Sequence, residues 1–261
     1  MDLNLAGKTA VVTGSTAGIG FAIAEGLVRQ NAHVWINGRT QARVDSALAR
    51  IKGSQPSAQL SGIAADLSTA DGARRLTQAV AELDILVNNY GGAERVAPFL
   101  DLSDADWRQV FDANVMSGMR LARHYLPGLR AKNWGRIVFI SSEAGVHMPP
   151  GFPHYGVAKA AEIALSRAVA ETLGGTGVTA NCVLPGPTFS EGAEKWAARE
   201  GKTEAELAAA YFPANQPSSL IKRFATTDEV ANLVVYVCSP AASATNGATL
   251  RVEGGVLRHP A

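Results

Sequence analysis

Apolar residues along the chain fall into short unbroken runs that alternate with stretches of helical spacing. The run at 8–13 closes on glycines, and over 19–30 the positions Ile19, Ala22, Ile23, Gly26 and Leu27 recur at intervals of three and four, the period of a helix that buries one face. This predicts a strand, a tight turn and a helix. The same alternation predicts further strands at 33–37, 59–65, 84–88, 136–141, 178–184 and near 248–252, with helices at 41–52, 68–81, 104–131, 155–174 and 227–238. The strand runs are continuously apolar rather than alternating, which is what strands covered by helices on both faces require. A doubly wound α/β fold follows, with seven parallel strands in a single domain over 1–261.

The irregular stretch is 186–226, which carries several prolines and two short helical patterns at 191–199 and 204–211. It leaves the carboxyl end of a late strand, where open α/β sheets bind ligands, and so it is expected to form a substrate lid. Trp196, Tyr211 and Phe212 would give that lid apolar contacts. The helix at 155–174 is apolar around most of its circumference, including Val157, Ala161, Ala164, Leu165 and Ala168. One sheet face cannot cover all of that, so a partner subunit is expected on its outer side.

Charge narrows the partners. Lys and Arg number 24 against 23 Asp and Glu, a formal net charge of +1, which gives no global field for nucleic acid or an anionic membrane. The apolar stretch 230–238 is too short to span a bilayer, and residues 1–8 lack a basic leader pattern, so a cytoplasmic protein is expected. Cys182 and Cys238 sit in apolar segments without Cys or His neighbours at metal-ligand spacing and read as small buried hydrophobes, with no metal site.

The candidate chemistry begins at Thr13-Gly14-Ser15-Thr16-Ala17-Gly18-Ile19-Gly20, between the first strand and first helix. Glycines there let backbone turn sharply and approach a pyrophosphate at a helix N-terminus. At the end of the second strand an acidic residue would accept hydrogen bonds from the ribose hydroxyls of NAD, but this chain has Asn37-Gly38-Arg39-Thr40. Arg39 offers a charged fork for a 2′-phosphate, so NADP(H) is expected ahead of NAD(H); the plainer reading of Arg39 is a solvated charge at a helix start. Tyr155 and Lys159 stand one helical turn apart on a shared face, thirteen residues after Ser142. A phenol ordinarily ionises near pH 10, and a neighbouring ammonium favours the phenolate and lowers that value. His147 and His154 flank this segment and read as pocket lining or surface residues.

The glycine turn, Asn88-Asn89-Tyr90-Gly91, Ser142, Tyr155-Gly156-Val157-Ala158-Lys159 and Pro185-Gly186-Pro187-Thr188, in this order, resemble the short-chain dehydrogenase/reductase family along essentially the whole chain, including its 3-oxoacyl carrier-protein reductase-like members. The resemblance implies a Rossmann-type domain and hydride transfer between a nicotinamide and a carbonyl or alcohol, with Tyr155 as proton donor and acceptor. It further implies that Ser142 holds the substrate oxygen, Lys159 also binds the nicotinamide ribose, and Asn114 holds a relay water. It places Gly14, Ser15, Thr16, Gly18, Ile19, Gly20, Asn89, Tyr90 and Gly91 along the cofactor, Asp66 and Leu67 by the adenine, and Pro185, Gly186 and Thr188 by the nicotinamide. Asp66 reads equally as a helix cap, and Tyr90 replaces the family's usual small residue. A homodimer or homotetramer is implied, and a 3-oxoacyl thioester or another ketone as substrate. The rivals are an NAD-dependent alcohol dehydrogenase, a catalytically silent nucleotide sensor, and a sugar-nucleotide epimerase or dehydratase, whose relatives tend to be longer with a different glycine spacing.

Overall fold

A computed structural model describes residues 2–258. Seven parallel strands form one sheet in the order β3-β2-β1-β4-β5-β6-β9. They are β1 Thr9–Val12, β2 His33–Gly38, β3 Leu60–Ala64, β4 Ile85–Asn88, β5 Gly135–Ile140, β6 Val178–Pro185 and β9 Thr249–Val252; β7 Thr188–Phe189 and β8 Ala225–Thr226 make a separate pair. The helices are α1 Gly18–Arg29, α2 Gln41–Ser54, α3 Ala70–Ala79, α4 Asp104–Phe111, α5 Ser117–Lys132, α6 Ala144–His147, α7 Pro153–Glu171, α8 Glu191–Arg199, α9 Glu204–Asn215 and α10 Thr227–Val237.

Side chains on a strand alternate between faces, and the strands of the sheet other than the edge strand β9 feed two cores. Ala10 and Val12 join α1 and α10 through Ile23, Leu27, Val230 and Val234. Val11 joins the opposite core with Leu76 of α3, Leu121 of α5 and Val169 of α7. Both faces are therefore apolar, which is why the strands read as unbroken hydrophobic runs. Cys182 and Cys238 are free, buried thiols on opposite faces, and burial pushes each up to about 12.

The strand order reverses direction between β1 and β4, and there the carboxyl ends of the strands open a crevice for ligands. The helix expected over 104–131 does not run unbroken: a π turn over Asp112–Met116 separates α4 from α5. Asn114 Nδ2 donates to Val110 O at 2.7 Å and Ser117 Oγ to Ala113 O at 2.6 Å. These side chains compete for carbonyls of the helix ladder and widen it locally. The stretch 186–226 holds more order than a loop, with α8, α9 and the β7–β8 pair around its own small core of Ala197, Leu207, Ala208, Phe212 and Phe224.

Candidate active site

The glycine turn is held from three sides. Thr13 Oγ1 accepts from the N–H groups of Asn89 and Tyr90, both at 2.9 Å, and Asn89 Nδ2 donates to Thr13 O and Gly14 O at 2.9 and 3.1 Å. Asn37, fully buried, accepts from Gly14 N through Oδ1 and donates from Nδ2 to Ile63 O and Ala65 O. The asparagine at the end of β2 is thus a brace among β2, β3 and the turn. Gly20 sits so close to Asn89 that a Cβ would lie 2.4 Å from its Nδ2. Ser15 is also a brace: its N–H donates to Asn37 O and its hydroxyl to Val12 O. Expected as a cofactor contact, it has both donors engaged within the fold. Leu67, expected beside the adenine, is fully buried in the core with Leu76 and Leu121. Gly18 faces Ser190.

Two hollows follow the carboxyl ends of the strands and meet at Asn89 and Gly91. The first, of about 230 Å³, is lined by Gly14, Thr16, Gly38, Arg39, Arg43, Asn89, Tyr90 and Gly91. It presents two guanidinium-bearing side chains and no carboxylate, a donor set suited to a phosphate. Glu94 waits outside, with Oε1 3.4 Å from Arg39 Nη1 in an exposed ion pair. Beyond Tyr90, the phenol donates to Asp66 Oδ1 at 3.1 Å. Burial by itself would raise Asp66, but hydrogen bonds from Ser68 and Tyr90 and the charge of Arg39 hold it below its ordinary value. Asp66 does not cap α3; Thr69 does, accepting from Gly72 N.

The second hollow, of about 250 Å³, is lined by Ile19, Asn89, Gly91, Gly92, Ile140, Ser141, Ser142, Tyr155, Lys159, Pro185, Gly186 and Thr188. Residues from β4, β5, α7 and β6 converge here although they lie far apart in the chain. Lys159 is nearly buried, donates from Nζ to Ile140 O at 2.9 Å, and lies 5.6 Å from the centre of the Tyr155 ring. Its Nζ also stands 2.6 Å from Glu162 Oε2, a buried carboxylate that the sequence pattern had not singled out. Ser141 Oγ donates to Lys159 O, tying α7 to the end of β5. Ser142 Oγ donates to Glu143 Oε2 at 2.6 Å and accepts from Ala144 N. Burial raises the Glu143 carboxyl despite that bond. Gly186 N donates to Val252 O, and a Cβ at Gly186 would meet the Glu253 backbone at 2.6 Å, so the turn after β6 has room only for glycine.

Asn114 lies behind this hollow. Its Oδ1 accepts from Gly92 N at 2.9 Å and its Nδ2 donates to Gly92 O at 2.8 Å. A Cβ on Gly91 would fall 2.3 Å from Asn114 Oδ1 and 3.4 Å from Lys159 Nζ, so the amide and the ammonium are packed against the same glycine.

The expected lowering of the Tyr155 phenol is not what the chain alone produces. Burial raises it, Lys159 pulls it down, and Glu143 and Glu162 push it up again, leaving it above its ordinary value. The ammonium acts in the expected direction, but desolvation of a phenolate in a buried site is the larger effect. His154 is fully buried and packs edge-on against Trp107 with ring centres 6.0 Å apart, so it does not line the crevice; His147 is exposed. Among the described residues no cluster of His, Cys, Asp and Glu could hold a metal, and no helix is long and apolar enough to cross a membrane. A larger hollow of about 520 Å³ beside Glu82, His124 and Lys132 lies near the amino end of β4, away from these groups.

A parallel sheet with a glycine turn at its switch point, opening onto a half-buried tyrosine and a buried lysine and serine, defines a dinucleotide-binding oxidoreductase. Residues 14–257 match a family model described as "Enoyl-(Acyl carrier protein) reductase". The chain is 46% identical to "Uncharacterized oxidoreductase YvrD" of Bacillus subtilis (strain 168), covering 99% of each, and 34% identical to the D-beta-hydroxybutyrate dehydrogenase of Cupriavidus necator, covering 96% of this chain and 98% of that one. The L-sorbose reductase of Gluconobacter frateurii, solved with NADPH and L-sorbose, superposes with a TM-score of 0.90 at 31% identity, covering 99% of this chain and 100% of that one. The chain belongs to the short-chain dehydrogenase/reductase family and is an oxidoreductase acting between carbonyl and alcohol groups.

Proposed function

We propose that this oxidoreductase uses NADP(H) to interconvert a ketone and a secondary alcohol, with Tyr155 handling the proton. The observation that carries this reading is the convergence of Ser142, Tyr155 and Lys159 on one hollow continuous with the glycine-lined crevice. Arg39 and Arg43 would bind a 2′-phosphate at the far end of that crevice. Asn89, Tyr90, Gly91 and the turn Gly14–Gly20 would carry the rest of the dinucleotide; Pro185, Gly186 and Thr188 would border its nicotinamide. The bound nicotinamide supplies or receives a hydride. The chain supplies binding, orientation and a proton.

In reduction Tyr155 Oη gives its proton to the carbonyl oxygen as hydride reaches the carbonyl carbon; one hydride and one proton convert C=O into CH–OH. In oxidation the phenolate takes that proton back. Ser142 Oγ, turning its one proton from Glu143 to the substrate, would orient the substrate oxygen, and Lys159 would favour the phenolate electrostatically. Asn114 would hold the Gly91–Gly92 backbone and the adjoining relay in place. The carboxylate of Glu143 sits on the hydroxyl that meets the substrate oxygen, which favours substrates rich in hydroxyl donors over carboxylate-bearing ones. Ketoses and secondary polyols, towards which the structural likeness to an L-sorbose reductase points, are the compounds to assay alongside 3-oxoacyl thioesters.

Tyr155→Phe tests the reading. Removing the proton-transfer group is expected to lower turnover about 10²- to 10⁴-fold, while the dissociation constant for NADPH, followed by fluorescence titration, changes less than about twofold. Near-normal turnover in that variant would remove the mechanism.

A further inference from the structure

Lys159 has a partner that the proton-transfer scheme does not use. Glu162, one turn further along α7, is 1% exposed, and its Oε2 stands 2.6 Å from Lys159 Nζ. The ammonium has three donors. One goes to Ile140 O at the end of β5, and the Glu162 carboxylate stands at ion-pair distance from the ammonium. A buried ammonium without a counter-charge is costly, so the carboxylate both anchors it and offsets its field. That field is what Lys159 exerts on the phenol of Tyr155, whose ring centre is 5.6 Å away.

We propose that Glu162 is a positioning residue of the proton-transfer site: its carboxylate fixes the Lys159 ammonium against β5 and takes up part of its charge, keeping Tyr155 a proton donor suited to carbonyl reduction. This rests on the assignment of Tyr155 and Lys159 given above.

The ionisable surroundings agree with that arrangement. Lys159 is the charged group acting on Glu162; burial raises the carboxyl to about 7, against the lowering effect of the ammonium. On α7 itself Tyr155 feels both charges. From β6, Cys182 faces the pair as a neutral thiol, held so by burial. From the turn after β5, Glu143 adds a second negative influence on Tyr155. The π turn contributes Asn114, which is uncharged, while its Asp112 is engaged with Arg120. The sign is then fixed. Neutralising residue 162 leaves the ammonium undiluted, favours the phenolate, and moves the Tyr155 ionisation to lower pH.

Glu162→Gln in the full chain tests this without relying on turnover. Tyrosinate absorbance is titrated for the wild type and for Tyr155→Phe, and their difference isolates Tyr155; the same difference is taken between Glu162→Gln and the double variant Glu162→Gln/Tyr155→Phe. The Tyr155 midpoint is expected to fall by about one pH unit in the Gln background, a roughly tenfold change in the ionisation constant. The acid limb of alcohol oxidation with NADP⁺ should shift the same way. Equal midpoints in the two backgrounds would overturn the proposal. Glu162→Met, neutral and of similar volume, gives the same comparison if the Gln variant does not fold. The two ideas fail separately. Normal turnover in Tyr155→Phe defeats the assigned function, whereas an inactive Tyr155→Phe with unmoved midpoints defeats only the role of Glu162.

Discussion

At the scale of the single residue, the expected preference for NADP(H) comes down to one guanidinium and its competitor. Arg39 lines the crevice at the end of β2, where this chain has no carboxylate, but its Nη1 is 3.4 Å from Glu94 Oε1. Both side chains are more than half exposed, and such pairs contribute at most about 1 kcal/mol. A phosphate dianion held by a guanidinium fork is a stronger partner, since hydrogen bonds between charged groups contribute about 1.5–3 kcal/mol. Arg39 should therefore leave Glu94 when the 2′-phosphate binds. Arg39→Ala is expected to raise the NADPH dissociation constant by roughly 10- to 100-fold and to change that for NADH much less, as read by fluorescence titration of both nucleotides. An equal loss for the two cofactors would show that Arg39 is a surface charge. The same scale explains what the sequence concealed. Glu162 follows Lys159 at a spacing that ordinarily marks a solvated pair on a helix surface, and only the stacking of α7 over β5 and β6 turns that face inward. Ser15 and Asn37 likewise become braces because neighbouring strands bring acceptors and donors to them.

At the scale of the element, 186–226 is an element cluster with a core of its own, and this changes how a lid would work. Trp196, Tyr211 and Phe212, expected to offer apolar surface to a substrate, pack on one another: Trp196 and Tyr211 meet edge-on at 5.8 Å, and Phe212 is 2% exposed against Phe224. We propose that α8, α9 and the β7–β8 pair move as a unit over the crevice, with the aromatic cluster as the unit's interior. Because that cluster is separate from the two cores of the sheet, its loss should loosen the lid and spare the scaffold. Phe212→Ala removes a buried aromatic, which costs about 3–5 kcal/mol where a core cannot collapse around the gap. The expected result is faster limited proteolysis within 190–225, a several-fold rise in substrate KM, and an NADPH dissociation constant close to that of the wild type. A fall in cofactor affinity equal to the rise in KM would show that these helices belong to the scaffold. The positions of the seven sheet strands and of the longer helices were readable from period and from continuous apolar runs, α8 begins and ends at the residues the pattern marks, and the four-residue α6 was too short to show a period. The π turn was not readable, because it arises from Asn114 and Ser117 donating to Val110 and Ala113 within a segment whose apolar spacing stays helical. The two-residue strands β7 and β8 are shorter than any periodicity can reveal, and they pair residues more than thirty positions apart.

At the scale of the whole molecule, the remaining question is what covers α7. The helix turns His154, Lys159, Glu162 and Ser166 inward, so its buried face is more polar than its composition suggested. Its outward side carries Val157, Ala164 and Ala168, all exposed in the single chain, at spacings that keep them on one side of the helix. Small apolar residues on an exposed helix face let a second helix approach closely, and we propose that a second copy of the chain does so around a two-fold axis. In an interface of that symmetry the same patch meets itself, so a single substitution appears twice across the contact. Ala164→Glu would set two carboxylates against each other where two methyl groups would otherwise pack, and like charges in a desolvated contact cost several kcal/mol. The wild type is expected to scatter light as a dimer or tetramer, and the variant as a monomer that keeps the wild-type circular dichroism spectrum. A wild-type chain that stays monomeric at micromolar concentration would leave this face of α7 open to water and remove the proposal. The proton-transfer groups approach the crevice from the opposite side of the same helix, so a monomeric variant that binds NADPH normally would show that the site is complete within one chain.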